Sequence, residues 1–302
     1  FIQLLTNQQH QNRTSMPSYE AIATHYHWAL SQVFRMSFQA AIVLEDDLDV
    51  SPDFFQYFDA MYPLLRNDPS LYCISAWNDN GVPEYMNPDQ EASRRTFQRT
   101  DFFPGLGWML TRNFWNELEP VWPANNWDDF LRQQSVVKGR HCIQPELPRV
   151  RNIGMNGTSA TDIYERFLKK MDYNNVTMDY TQVDFTYLER VCLNDHRLIE
   201  RLTPNHQRQK DKYVAYLKKQ VDAAKSIDLY EIDSFQYRNL TLKATFKSDA
   251  DFRMFNHVHG LMDDLREGMS RTSFRKIVTI FVDSNKVYLL PKDQDWSDIK
   301  VI

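Results

Sequence analysis

The sequence predicts an α/β protein with a mainly parallel central sheet, followed by a smaller α+β unit at its C-terminal end. Three observations carry this expectation. Strand-like and helix-like runs alternate between residues 20 and 77, the order that crossover helices between parallel strands require. Four acids, Glu45, Asp46, Asp47 and Asp49, stand directly behind the first strand, and such sheets bind ligands outside the carboxyl ends of their strands. Two late strand-like runs, RKIVTIFV and KVYLLP, are joined by a DSN turn and read as a hairpin.

The elements follow in chain order. EAIATHYHWALSQVF, residues 20–34, has helical periodicity, with Ile22, Tyr26, Ala29, Leu30 and Val33 on one side. QAAIVL is a buried strand. Ser51-Pro52 predicts a helix start, with Ser51 as N-cap and proline in the first turn, and the helix continues through FFQYFDAMYPLL. LYCISAW is a second short strand and NDNG behind it a turn. Between about Asp101 and Asn156 the pattern is irregular and aromatic-rich. From about Tyr213 come a Lys-rich helix with a solvated face, an NLTLKATF strand, an amphipathic helix over FRMFNHVHGLMDDLREG and the closing hairpin. A domain change falls near residues 190–200, and no internal repeat is evident.

Composition excludes several classes. The 302 residues carry 42% hydrophobic and 25% charged side chains, ordinary for a globular protein. A net charge of -5 without a basic stripe argues against nucleic acid. No apolar run approaches the roughly 20 residues of a membrane helix. The chain opens on Phe1, without a signal peptide, and reads as a piece of something longer. Its three cysteines, Cys73, Cys142 and Cys192, lack metal-ligand spacing and leave room for one disulfide and one free thiol. Four sequons, at Asn12, Asn156, Asn175 and Asn239, point toward a secretory compartment.

The acids admit two readings, a solvated acidic turn or a divalent-metal site. Helix capping is already served by Ser51 and Asp53. A hard, oxygen-preferring ion such as Mg²⁺ or Mn²⁺ takes one or two carboxylates plus substrate phosphates, which suits adjacent acids at a strand end. In NNWDDF, Asn126 with Asp128 and Asp129 reads as a helix N-terminus, and Trp127 as core or as a ligand wall. In FFPGLGW, Gly105 and Gly107 read as a tight turn. In NIGMNGTSATDIYERF, Ser159 and Asp162 resemble a capping box, and a helix N-terminus there is also a phosphate site.

VLEDDLDVSPDFF, LYCISAWNDNG, RTDFFPGLGWML, ELEPVWP, NNWDDF and DYTQVDFTYL occur in this order, and HGLMDDLREG and FRKIVTIFV follow. Together they resemble the N-acetylglucosaminyltransferase I family (glycosyltransferase family 13) over nearly the whole chain after about residue 19. The resemblance implies a GT-A fold and the lumenal catalytic part of a single-pass Golgi membrane protein. It implies Mn²⁺ as cofactor, UDP-GlcNAc as donor and a high-mannose N-glycan as acceptor. Residues 1–154 would form the nucleotide-sugar-binding domain, 155–195 a lid and linker, and 196–302 the smaller C-terminal domain. A further strand–helix–strand stretch with uridine-binding residues, and an anchor and stem, would precede this chain.

The implied roles are specific. Asp47 is the metal ligand within Glu45-Asp46-Asp47, and Asp128 the base that deprotonates the acceptor hydroxyl. His25, Glu45, Asp46, Leu106, Trp127 and Ser159 contact the donor, Ser159 on its diphosphate within a mobile lid. Asp129 is structural. Cys73 and Cys142 form a disulfide and Cys192 stays free. A glycan at Asn156 would obstruct the lid, so that sequon is expected to be unmodified. Two alternatives remain at this point: a transferase acting on O-linked mannose, and a non-catalytic relative that binds glycans or partner enzymes.

Overall fold

The structure, a computed structural model, describes residues 18–154, 161–191, 210–233 and 237–296. It opens on helix α1 (Ser18–Arg35), whose buried stripe is Ala23, Tyr26, Leu30 and Phe34. Tyr26 and Leu30 are shared with the stripe expected from sequence; Ile22, Ala29 and Val33 lie at its half-buried margin. Then come β1 (Ala40–Val43), β2 (Leu48–Val50), α2 (Phe54–Asn67), β3 (Leu71–Ser75), α3 (Gln90–Arg95), β4 (Phe97–Thr100) and β5 (Trp108–Thr111). Helices α4 (Arg112–Leu118), α5 (Trp127–Leu131) and α6 (Gln134–Val137) lead to β6 (His141–Pro145) and β7 (Val150–Asn152).

Five of these strands form one sheet in the order β1-β5-β3-β6-β4. Only β3 and β6 pair in parallel; β1/β5, β5/β3 and β6/β4 are antiparallel. The expected mainly parallel sheet is thus corrected to a mixed one. The cause is the stretch whose pattern was irregular. It supplies β5, and β4 ends just before that stretch begins; both run against the common direction of β1, β3 and β6, and β5 inserts between β1 and β3. That insertion puts Trp108 opposite both Val43 and Ser75. The turn that feeds β5 therefore lies at the same sheet end as the residues leaving β1 and β3. Gly107 makes the turn possible, with φ +64° and its carbonyl accepting from the Ala76 N–H at 2.7 Å.

Two cores flank the sheet. On one side Tyr26, Phe34, Phe103, Trp108, Trp115 and Trp127 pack together, with Cys73 and Cys142 among them. Those cysteines are register partners on β3 and β6 and form the expected disulfide, with a Cα–Cα separation of 4.7 Å. Cys192 lies outside the described residues. On the other side Tyr57, Phe58 and Met61 of α2 share a cluster with Tyr213, Val214 and Leu217 of the Lys212–Ala223 helix and with Phe274 and Tyr288.

Helix α2 starts later than the sequence suggests, and Ser51 is not its cap. The N-cap position is Asp53, which makes no side-chain capping bond. Its carboxylate is committed elsewhere: to Arg149 at 3.1 Å, to the Tyr180 hydroxyl at 2.6 Å and to the Ser51 hydroxyl at 2.6 Å. Asp53 and Arg149 are both fully buried, so removing either partner would leave a charge without compensation.

The C-terminal strands form a second sheet. Strands β8 (Arg190–Val191) and β9 (Lys210–Asp211) pair as a short ribbon. Then β10 (Lys225–Ile227) and β11 (Thr241–Phe246) precede a hairpin of β12 (Leu265–Arg266) and β13 (Met269–Ser270), and β14 (Val278–Val282) and β15 (Asn285–Pro291) close the chain. The second sheet runs β10-β11-β15-β14, with the predicted antiparallel hairpin turning at Asp283 and Ser284, both at positive φ. The long helix expected through LREG is corrected. It ends at Val258, Gly260 follows at φ +64°, and Leu265–Ser270 is the β12–β13 hairpin.

Where β6 leaves the sheet, Glu146 is buried and accepts from the Asn87 N–H at 2.7 Å. Burial pushes its pKa up to about 7, against the smaller opposing pulls of the Asn87 N–H and the Lys286 ammonium. A raised folded-state pKa contributes stability that is complete below the unfolded value and lost as pH rises through the folded one. Stability should therefore fall between about pH 4.5 and 7 by roughly 3 kcal/mol on account of this group. Glu146→Gln should flatten that slope and raise Tm above the parent's at pH 8. Thermal melts across pH 4–8 check it, and an unchanged slope would assign the dependence to other groups.

Candidate functional site

The four residues between β1 and β2 carry Glu45, Asp46 and Asp47, closed by a turn in which the Leu48 N–H donates to the Glu45 carbonyl at 3.3 Å. Strand β2 then pairs antiparallel with β7, Leu48 opposite Asn152. This ribbon fixes Asp47 from both sides. Its carbonyl accepts from the Ile153 N–H at 2.8 Å, and its Oδ2 accepts from the Asn152 side-chain amide at 3.2 Å. Gly154 presses against the same carboxylate, leaving no room for a Cβ, which would stand 2.3 Å from Oδ2. Oδ1 of Asp47 is buried and has no hydrogen-bond partner.

Glu45 is held from helix α1. The Tyr26 hydroxyl donates to its Oε1 at 2.6 Å. Burial raises the Glu45 pKa, the Tyr26 hydrogen bond opposes, and the charges of Asp47, Asp128 and Asp46 raise it further. The Tyr26 hydroxyl is likewise pushed up, first by burial and then by the charges of Glu45, Asp128 and Asp47. Carboxylates from two separate stretches, Glu45 with Asp47 and Asp128, thus act on one tyrosine.

The same tyrosine ring stacks on Trp127, with centroids 4.1 Å apart. Trp127 is 7% exposed and stacks also on Trp108 and Trp122. It is a core residue that anchors α5. Asn126 occupies the helix's N-cap position at φ 45° but makes no side-chain capping bond. One residue beyond Trp127, Asp128 accepts from Arg132 at 2.8 Å, and the same Arg132 nitrogen donates to Asp129 at 2.9 Å. Asp129 also accepts from Arg266 of the β12–β13 hairpin at 2.8 Å. Burial acts to raise the Asp129 pKa, but the Arg266 and Arg132 hydrogen bonds outweigh it and hold it below the usual carboxylate range. By contrast, none of Glu45, Asp46 and Asp47 forms an ion pair among the described residues.

The remaining sequence candidates divide. Asp46 is exposed at the tip of the acidic turn. Leu106 is half-buried in the turn before β5, at the same sheet end, and packs on the α2 side of the sheet. His25 neighbours Tyr26 on α1 but is exposed, its ring stacked on Trp28 at 5.7 Å. Ser159 and Asn156 lie outside the described residues.

The residues that make the site rigid were not singled out in the sequence. Tyr26 registered only as one member of a helix stripe. Arg132 stands three and four residues after the two aspartates, the spacing at which helical side chains meet, and was available as a signal. Asn152, Gly154 and Arg266 act across long sequence separations, for which a single sequence holds no local sign.

A hard divalent cation would require at least one oxygen left free by the protein, and Asp47 Oδ1 supplies it. Among the described residues no cluster of three or more His, Cys, Asp or Glu side chains forms a cage. The donor set instead suits an ion that keeps waters and takes its other ligands from a substrate.

The chain is similar to the Arabidopsis thaliana protein named alpha-1,3-mannosyl-glycoprotein 2-beta-N-acetylglucosaminyltransferase. The two are 32% identical over 280 residues, covering 92% of this chain and 58% of that relative. The chain thus spans a little over half the length of the curated relative. The family model described as the GNT-I family matches residues 4–301, and the chain belongs to that family.

Proposed function

We propose that the protein carrying this chain transfers N-acetylglucosamine, with inversion, from UDP-GlcNAc to the 2-hydroxyl of an α-1,3-linked mannose on N-glycans. The observation that carries the reading is the partnerless Asp47 Oδ1, set beside a Glu45 that feels the charges of both Asp47 and an Asp128 held by arginine. The kinship with a protein named for that transfer supplies the donor and acceptor. The reading includes a GT-A type fold, with residues 1–154 binding the nucleotide sugar, 155–195 serving as lid and linker and 196–302 as a smaller domain.

Asp47 would hold Mn²⁺, with Glu45 and Asp46 adding negative charge around it. The ion's contribution, when bound, is to neutralise charge on the departing diphosphate. The protein's own residues perform the rest. Asp128 accepts the proton of the acceptor hydroxyl as that oxygen bonds to the anomeric carbon. The anomeric carbon's bond to the β-phosphate oxygen breaks on the opposite face, and UDP departs with the electron pair. Trp127, fixed in its aromatic stack, holds α5 and hence Asp128 against the sheet end. Leu106 borders the sugar, and His25, Asp46 and Ser159 contact the nucleotide portion. The Cys73–Cys142 disulfide fits folding in an oxidising secretory compartment, here the Golgi lumen. No described helix is long and apolar enough to cross a membrane.

Two substitutions separate the roles in the full-length protein. Asp47→Asn should weaken both Mn²⁺ dependence and UDP-GlcNAc affinity. Asp128→Asn should leave both near normal while turnover falls by roughly 10²–10⁴. Steady-state rates with an N-glycan and an O-mannosyl acceptor, beside donor titrations, read both effects and acceptor choice. Matching signatures from the two variants would reject the division of roles.

Gly154 gives an independent handle on the metal site. Gly154→Ala places a Cβ where Asp47 Oδ2 now lies, so the carboxylate must shift. Mn²⁺ affinity, followed by titration with and without UDP, should drop by about 10–100-fold, the usual cost of disturbing a ligand's support. Unchanged affinity would mean that Asp47 does not hold the ion.

A further inference from the structure

An unbroken run of alternating charges leads away from Asp128. Arg132 joins Asp128 to Asp129, and Arg266 donates to Asp129 at 2.8 Å. Arg266 also lies 3.4 Å from Asp264, which pairs with Arg271 at 2.5 Å, and Arg271 reaches Asp79 at 3.0 Å. Asp79 accepts from the Trp77 indole at 3.0 Å, just past the carboxyl end of β3. The run therefore starts on the sheet, crosses the β12–β13 hairpin and ends on α5. Both Arg132 and Arg271 stack over the one Phe102 ring, at 4.8 and 5.0 Å, which clamps the two ends to a common support.

The hairpin at the centre is stiff. Its two-residue turn, Glu267-Gly268, has positive φ at both positions, the geometry that matches strand twist. The turn also holds the next helix, since Glu267 accepts from the Gln134 N–H at 2.7 Å. Arg266 thus presents a planar donor from a fixed backbone to a carboxylate next in sequence to Asp128. A half-exposed ion pair of this kind adds little to stability, which leaves geometry as what it contributes.

We propose that Arg266 is a positioning residue for the transfer reaction. By engaging Asp129 it keeps Arg132 shared between the two aspartates, and so fixes the direction in which the Asp128 carboxylate faces the acceptor hydroxyl. Without Arg266, Arg132 is free to turn fully to Asp129, and Asp128 loses its only tether described here. The inference rests on the reading of Asp128 as the base.

The test is a mutant cycle in the full-length protein. Arg266→Ala should lower kcat roughly tenfold, a typical cost of misplacing a reacting group, while the KM for UDP-GlcNAc stays within about twofold. Arg266→Lys, which keeps the charge, should recover much of the loss. The decisive arm adds Arg266→Ala to Asp128→Asn. If Arg266 acts through Asp128, the double variant turns over no more slowly than Asp128→Asn alone. An equal proportional loss in both backgrounds, or an unaffected kcat in Arg266→Ala, overturns the proposal while leaving the base reading intact. Near-normal turnover in Asp128→Asn alone removes the base reading, and the positioning role with it.

Discussion

The arrangement of this site follows from one constraint: Glu45, Asp47 and Asp128 must share the end of a single sheet although like charges repel. Each is therefore held by a different part of the chain. Tyr26 of α1 holds Glu45, Asn152 on β2's partner strand holds Asp47, and Arg132 holds Asp128. None of the three tethers is interchangeable with another, because each arrives from a different direction. The aromatic stack of Tyr26, Trp127 and Trp108 then makes the distances between them a property of the core rather than of the loops. Close packing of this kind is hard to deform, which is what a site built on precise carboxylate spacing requires.

The central sheet shows why the site sits where it does. Strand β5 runs against its neighbours, so the glycine turn before it meets the residues that leave β1 and β3. A parallel strand in that place would have put the Gly105–Gly107 turn at the opposite end. The mixed topology is thus the means by which FFPGLGW and EDD reach the same corner. The buried Asp53–Arg149 pair stabilises the neighbouring layer, tying the start of α2 to the segment that leads into β7 and hence to Asn152.

Much of the fold was legible because the dominant elements have clear periods. Helices α1 and α2, strands β1 and β3 and the closing hairpin combine apolar patterning with local stop signals. The failures share a cause. β4 and β5 are four-residue strands, the first just before and the second within an aromatic-rich stretch, too short for alternation to register, and their direction depends on partners far away in sequence. Ser51 carries a cap signal, yet the cap position belongs to Asp53, whose carboxylate is taken by a buried arginine 96 residues on. LREG continued an amphipathic helical pattern, but positive φ at Glu267 and Gly268 makes Leu265–Ser270 a hairpin. Within the site, the acids were legible by type and the tethers were not: Asn152 and Arg266 stand in the quoted stretches, but nothing local marks the distant partners they reach.

The tethers also differ in charge, and that difference has a chemical consequence. Tyr26 and Asn152 are neutral donors, so no cationic side chain among the described residues pairs with the acids of the β1–β2 turn. Asp128 and Asp129 instead face Arg132 and Arg266, the latter shared with Asp264. Two fields are therefore built from one residue type, a few residues of packing apart. The first attracts a cation and favours whatever anion that cation carries. The second is faced by arginine, so a cation gains less there, and the Asp128 carboxylate keeps a fixed direction. Exchanging the tethers, with arginine at the turn and tyrosine at the helix, would weaken the pull on a cation at the first position and draw it to the second. Under the proposed reading, the segregation of metal and base thus lies less in the acids, which are alike, than in the donors that hold them.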